Sequence, residues 1–271
     1  MSHQIPIILR QAQNSMDWPK WANAIDSEYK AIEFFNVWMP VERPEDVEVV
    51  PTCFVFTIKS NSLYKARLVV RGCQSSQEFD PNELYAPVAK LNTLRILLNL
   101  CLECRLCIQQ IDVNNALLNA NLNAPIYITV PPLYDHGPNY STPNQPVLRL
   151  LKDLYGLPQS PKAWYKTIDA LLLKLNFVKC QFDGCLYFHK TLESTFILIY
   201  VDDMLICSPT NDVIESLIQQ ISESFHIKIL GTIRDIAYNV IDQKCTLYQT
   251  WLIDKVANLF KMTECNPVYT P

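Results

Sequence analysis

Two short apolar runs, residues 196–201 and 204–207 in the stretch FILIYVDDMLIC, flank two adjacent aspartates, Asp202 and Asp203. Each run has strand length and is rich in Ile, Leu, Val and Tyr. This predicts a hairpin buried on at least one face, with Asp202-Asp203 at its turn. Upstream, residues 16–35 place Trp21, Ala24, Ile25, Tyr29, Ile32 and Phe35 at helical spacing, with Asp17 as N-cap and Pro19 in the first turn. Two strand-like runs, 53–59 and 64–71, follow and are joined by a polar turn at 60–62. Residues 91–106 read as a helix, 108–113 as a strand reaching Asp112, and 114–120 as helical again. Strands are predicted over 126–130 and 147–151, and between them the five prolines of 131–146 mark a loop. Residues 161–175 are an amphipathic helix, 212–225 a helix, 227–230 a short strand and 251–262 a last helix. Helices and strands mix without a regular βαβ period, so the expected fold class is α+β.

Composition narrows the picture. With 271 residues, 49% hydrophobic and 18% charged, the chain can bury a sizeable core and is not of disordered type. No apolar run reaches the length of a membrane span. The first residues, MSHQIPIILRQAQNS, lack the pattern of a secretory signal, so reduced thiols in an intracellular compartment, cytoplasm or nucleus, are expected for the ten cysteines. Cys101, Cys104 and Cys107 have C-x₂-C-x₂-C spacing. No fourth cysteine follows at cluster spacing and the surroundings are apolar, so core thiols are the better reading than a zinc or iron–sulfur site. The net charge of −4 provides no general field for nucleic acid. The densest basic patch is the first hairpin, with Lys59, Lys65, Arg67 and Arg71. It is either a solubilised exposed hairpin or a phosphate grip.

Two readings stay open for Asp202-Asp203. Aspartate is common in turns. Adjacent carboxylates on a stiff apolar hairpin also repel unless a cation sits between them, and Mg²⁺ takes oxygen ligands from one or two carboxylates plus phosphates. Asp112 also ends an apolar strand, where it could cap the following helix. The three carboxylates together suit two-metal phosphoryl transfer.

The motifs YVDD at residues 200–203 and QIDVNNALLNA at 110–120 resemble the catalytic core of a reverse transcriptase. KARLVVRG (65–72), YAPVAKLNTLR (85–95), LLKDLYGLPQSPKAWY (150–165), FHIKILG (225–231) and CNPVYTP (265–271) resemble, in order, blocks of the copia-type LTR retrotransposon enzymes. The likeness runs over about residues 18–271.

The resemblance implies a right-hand polymerase with fingers, palm and the start of a thumb. Its expected divisions are a helical lead-in (1–35), a fingers-like region (36–110), a palm (111–241) and a thumb or connection start (242–271). It implies an RNA-directed DNA polymerase that extends a primer 3′-OH on an RNA or DNA template, using deoxynucleoside triphosphates. Two Mg²⁺ ions, with Mn²⁺ as the alternative, would be held by Asp112, Asp202, Asp203 and the Val113 carbonyl. Lys65 and Arg67 match triphosphate-gripping positions, and Gln159 a nucleotide and template contact. Lys228 matches a lysine near the leaving pyrophosphate, or is simply an exposed lysine on an edge strand. Tyr200, Val201 and Gly156 fall on primer and template positions. Other Pol polyprotein domains are implied partners, and no membrane is.

Three departures stand out. Leu117 occupies a position usually aromatic, where the family excludes a 2′-OH. Ala120 replaces a usual glycine, and IRDIAYNVI, with Tyr238, replaces an aromatic pair and a second Leu-Gly. The alternative to an active enzyme is an inactive or truncated relic serving at most as a nucleic-acid-binding or interaction module. A metal–thiolate protein built on the cysteine cluster is the remaining rival.

Overall fold

The computed structural model describes residues 5–59, 62–72, 84–122, 124–134, 146–233, 236–239 and 244–247. The helix expected at 251–262 and the motif at 265–271 lie outside these residues. So do most of the thumb start (242–271), Ser60, and residues 135–145 of the proline-rich loop.

The described helices are α1 (Leu9–Gln13), α2 (Trp18–Phe34), α3 (Leu91–Glu103), α4 (Ser160–Lys174) and α5 (Asn211–Ser222). The first strands are β1 (Trp38–Val41), β2 (Val49–Val50), β3 (Thr52–Ile58), β4 (Tyr64–Val70), β5 (Cys107–Val113), β6 (Tyr127–Thr129) and β7 (Val147–Leu150). Then come β8 (Phe177–Lys179), β9 (Leu186–His189), β10 (Phe196–Tyr200), β11 (Asp203–Ser208), β12 (Ile227–Ile233), β13 (Ile236–Asn239) and β14 (Lys244–Leu247). Helix and sheet are mixed, as the α+β reading requires. The chain forms two compact units, each discontinuous in sequence. One comprises Met1–Ala86 with Asn115–Ile168, the other Pro87–Asn114 with Asp169–Pro271.

In the first unit, β1-β7-β6-β2 form one sheet and β3-β4 a separate hairpin. Helix α2 buries Trp21, Ile25, Tyr29 and Ile32, one stripe at helical spacing, and packs on β4. Trp21 is 1% exposed and meets Phe56 and Tyr64 edge-on, with centroids 5.1 and 4.5 Å away. Truncating an aromatic so enclosed costs about 3–5 kcal/mol. Asp17 does occupy the N-cap of α2, yet its side chain makes no capping bond; its carboxylate instead takes the Lys20 ammonium at 2.8 Å.

In the second unit, six strands run β12-β5-β11-β10-β9-β8, with all described pairings antiparallel. Helix α3 buries Leu94, Leu97, Leu98 and Cys101, and α5 buries Ile214, Leu217, Ile218 and Ile221, each an i, i+3, i+4, i+7 stripe. Helix α3 stops short of residue 106 because Arg105 turns left-handed (φ 52), and Leu106 N–H closes back on Cys101 O at 2.8 Å. The three spaced cysteines are therefore not equivalent. Cys101 is core, but Cys104 is exposed at the helix end and Cys107 is half-buried on β5, which corrects the expectation of three core thiols. The β8-β9 hairpin carried no clear periodicity in the sequence.

Candidate active site

The six-stranded sheet brings the sequence-distant aspartates together. β11 pairs with β5 so that Asp203 faces Asp112, and β12 pairs with the other side of β5 so that Lys228 also faces Asp112. Residues directly opposite in an antiparallel pair share a face. Asp203, Asp112 and Lys228 therefore form one row across three strands. Asp202 joins from the adjoining turn. The three aspartates each offer a carboxylate oxygen, and these oxygens all lie within 4.8 Å of one another. All three residues are half-buried.

The turn differs from the expectation in register. Tyr200 pairs with Asp203, so the two turn residues are Val201 and Asp202, and Asp203 is the first residue of β11. Val201 carries a positive φ of 56° while Asp202 does not, the sign pattern of a type II′ turn, whose first central position ordinarily holds glycine. A β-branched residue there is strained by about 1–3 kcal/mol. A neighbouring bond holds the turn: Val113 N–H donates to Asp202 O at 2.8 Å. Val201 is 45% exposed, and Tyr200 is half-buried.

Asp112 does not cap a helix. It lies within β5, and the helix expected at 114–120 is only a 3-10 turn, Ala116–Asn119. Asn115 precedes that turn in the left-handed region (φ 51), which breaks α-helical continuity, and makes no side-chain capping bond. Within it Leu118 is fully buried, while Leu117 is half-buried. Lys228 is exposed on the edge strand β12. The edge placement and the position opposite Asp112 hold together. A bulge between Ile229 and Gly231 follows, where Gly231 takes φ 128°.

Gln110 escaped the sequence reading. Its Nε2 donates to Asp203 Oδ1 at 2.8 Å from a position 5% exposed. The available signal was its place two residues before Asp112 on a strand, hence on the same face.

The other sequence-named residues belong to the first unit. Lys65 and Arg67 lie on β4, Gly156 and Gln159 on the loop before α4, and Leu117 on the 3-10 turn. Lys65 lines an open cleft of about 520 Å³ with Lys20, Glu28, Lys59 and Asn115. The Arg67 guanidinium stands 5.5 Å over the Tyr155 ring, and its buried Nε has no hydrogen-bond partner among the described residues. The same holds for Gln159 Oε1. Beneath this basic strand lies Glu28, 6% exposed, which accepts Leu68 N–H at 3.1 Å. Burial pushes its carboxyl up, opposed by the Leu68 bond and by the charges of Lys65 and Arg67. Glu28 was legible only as an acid on the apolar stripe of α2.

Half-buried carboxylate oxygens set this close fit a hard divalent cation. The fold and site thus define an α+β protein with a three-aspartate centre at one end of an antiparallel sheet. Among the described residues this is the one cluster of three or more His, Cys, Asp or Glu able to hold a metal, so the cysteine spacing assembles no such site there.

The family described as reverse transcriptase (RNA-dependent DNA polymerase) matches residues 35–271. The chain is 31% identical to the retrovirus-related Pol polyprotein from transposon TNT 1-94 of Nicotiana tabacum, over 98% of this chain and 21% of the relative. It is 34% identical to the Pol polyprotein from transposon RE1 of Arabidopsis thaliana, over 81% of this chain and 15% of the relative. To the Ty1-H Gag-Pol polyprotein of Saccharomyces cerevisiae it is 29% identical, over 78% and 12%. The chain belongs to the reverse transcriptase family, as a domain of the copia-type retrotransposon kind. It spans about a fifth or less of the length of these relatives.

Proposed function

We propose that the chain is an RNA-directed DNA polymerase that adds deoxynucleotides to a primer 3′-OH on an RNA or DNA template. The observation that carries this is the gathering of Asp112, Asp202 and Asp203 at one end of the sheet, with carboxylate oxygens within 4.8 Å, in a chain of this family. In this reading residues 111–241 supply the palm, and residues 36–110, with the hairpin of β3 and β4, the fingers of a right hand. A thumb begins near residue 242.

Asp112, Asp202 and Asp203, with the Val113 carbonyl, would hold two Mg²⁺ ions, or Mn²⁺ in their place. Such ions, when bound, neutralise charge at the transferring phosphoryl group and ease deprotonation of the attacking hydroxyl. The protein's own part is positioning. Paired strands fix Asp112 and Asp203, and Gln110 holds one oxygen of Asp203 in place. Lys228 adds positive charge for the departing pyrophosphate. Lys65 and Arg67 grip the incoming triphosphate, the planar fork of arginine matching phosphate oxygens. Leu117 forms the floor beneath the nucleotide's sugar, and Tyr200, Val201 and Gly156 support primer and template. Other parts of a Pol polyprotein are the natural partners, and the working compartment is intracellular. No described helix is long and apolar enough to cross a membrane.

The test is primer extension on poly(rA)/oligo(dT) by purified protein. Synthesis that requires Mg²⁺ or Mn²⁺ and stops with a chelator is expected. A folded protein that binds primer–template without extending it would overturn the enzymatic reading in favour of a binding module.

A further inference from the structure

We propose that Asp153 is a positioning residue that ties the turn carrying Leu117 to the loop carrying Gln159. This rests on the polymerase reading, in which both segments meet the incoming nucleotide.

Asp153 is fully buried and holds two segments at once. Its backbone N–H donates to Ala120 O at 2.9 Å, directly after the 3-10 turn Ala116–Asn119, and the neighbouring Lys152 bridges to Asn121. Its side chain reaches forward, where Oδ1 lies 2.7 Å from the hydroxyl of Ser160, itself 1% exposed. That hydroxyl also lies 3.1 Å from Leu154 O. The loop closed by this contact carries Gln159, and it seats on β4. Val70 N–H donates to Tyr155 O at 2.7 Å, and the Tyr155 ring lies under Arg67. Gly156 comes so close to β4 that a Cβ there would run into the Val70 carbonyl oxygen. A buried carboxyl is a costly filler, because burial disfavours its charged form. What it supplies, and a hydrocarbon cannot, is a short directed bond to Ser160. That bond fixes the loop, and through the loop the Arg67 side chain.

The experiment compares the parent chain of 271 residues with Asp153→Ala, Ser160→Ala and Asp153→Asn, using two readouts. The first is amide hydrogen exchange without nucleotide. Val70 should exchange roughly 10-fold faster in Asp153→Ala and Ser160→Ala, with Leu148 in β7 unchanged, since loss of one anchor opens the loop locally. Asp153→Asn should stay near the parent, because its amide oxygen still accepts the Ser160 hydroxyl. The second is primer extension, in which KM for dNTP should rise roughly 10-fold in the two alanine variants, with kcat within about threefold and Asp153→Asn close to wild type. Lost kcat at unchanged KM, or unchanged Val70 exchange, would overturn the proposal. Should Asp153→Ala fail to fold, Ser160→Ala carries both arms. The exchange arm needs no catalysis, so a parent that extends no primer refutes the polymerase reading while Val70 still decides the clamp.

Discussion

Asp203 lies directly opposite Asp112 across β11 and β5. Neither carboxylate could be placed beside the other by local sequence. The pairing of the two strands does it, and the pairing of β12 on the far side sets Lys228 in the same row. Two anions and one cation therefore share a face at the end of the sheet, with Asp202 supplied by the turn.

Asp112→Asn and Asp202→Asn should each abolish detectable synthesis, a loss of at least about 10²–10³ in kcat, because each removes an anionic ligand where transition-state charge is neutralised. Asp203→Asn should be milder, since one of its oxygens is already taken by Gln110. The thermal midpoint should not fall, as removing one of three mutually repelling carboxylates relieves repulsion. Wild-type extension by the Asp202 variant would sink the assignment.

On the proposed reading, Leu117→Phe should sharpen the preference for dNTP over rNTP by roughly 10-fold in kcat/KM, because a ring edge at the nucleotide floor would fill the space a 2′-OH would take. Leu117 is half-buried and Leu118 fills the core, so this change should be tolerated where Leu118→Phe is not. Equal discrimination in parent and variant would remove Leu117 from the nucleotide site.

Burial raises the Asp153 carboxyl from 3.8 to about 6, opposed in part by the Ser160 hydroxyl. The folded state thus binds this proton more tightly than the unfolded chain. The resulting stability is fully present below pH 4 and is lost as pH rises through 6, roughly 3 kcal/mol in all. Asp153→Asn stays neutral, so the difference in unfolding free energy between variant and parent should shift in the variant's favour by this order between pH 4 and 7. Urea titrations at several pH values measure it, and parallel pH profiles would refute it.

Gly156 and Gly231 both take positive φ, 92° and 128°, but only Gly156 is crowded. Gly156→Ala should cost about 3 kcal/mol or more, since backbone strain adds to a clash with β4. Gly231→Ala should cost less, about 1–3 kcal/mol, from strain alone. Denaturant midpoints compare the two, and equal losses would mean that the loop does not seat on β4.

Much of this protein was legible from periodicity. The α2 stripe, the two hairpins and the run of strands and helices follow from apolar spacing, because a side chain's face is set by 3.6 or 2 residues per repeat. The aspartates at the ends of apolar runs, and the resemblance of the motifs around them to those of reverse transcriptases, marked the candidate site. Errors fell where a backbone departed from its regular region. The helix expected at 114–120 broke at Asn115, the helix ending near 106 stopped before Arg105, and the turn began one residue early because Val201 accepts a positive φ. Non-glycine residues rarely adopt these values; Asn115 belongs to a residue type that tolerates them, but nothing in the side chains of Arg105 and Val201 announces them.

The sequence by itself determined which residues carry charge, which faces are apolar and where the strongly patterned strands and helices run, but not short strands such as β1, β8 and β9. Only the tertiary structure decided their partners. Register between strands far apart in the chain put Asp203 and Lys228 on either side of Asp112 and put Gln110 against Asp203, while in the other unit burial of a short loop sealed Asp153 against Ser160. Strand pairing and burial are non-local. A one-residue slip in register would turn every side chain of a strand to the opposite face, and a carboxyl's surroundings, unlike its identity, exist only once the core has closed around it.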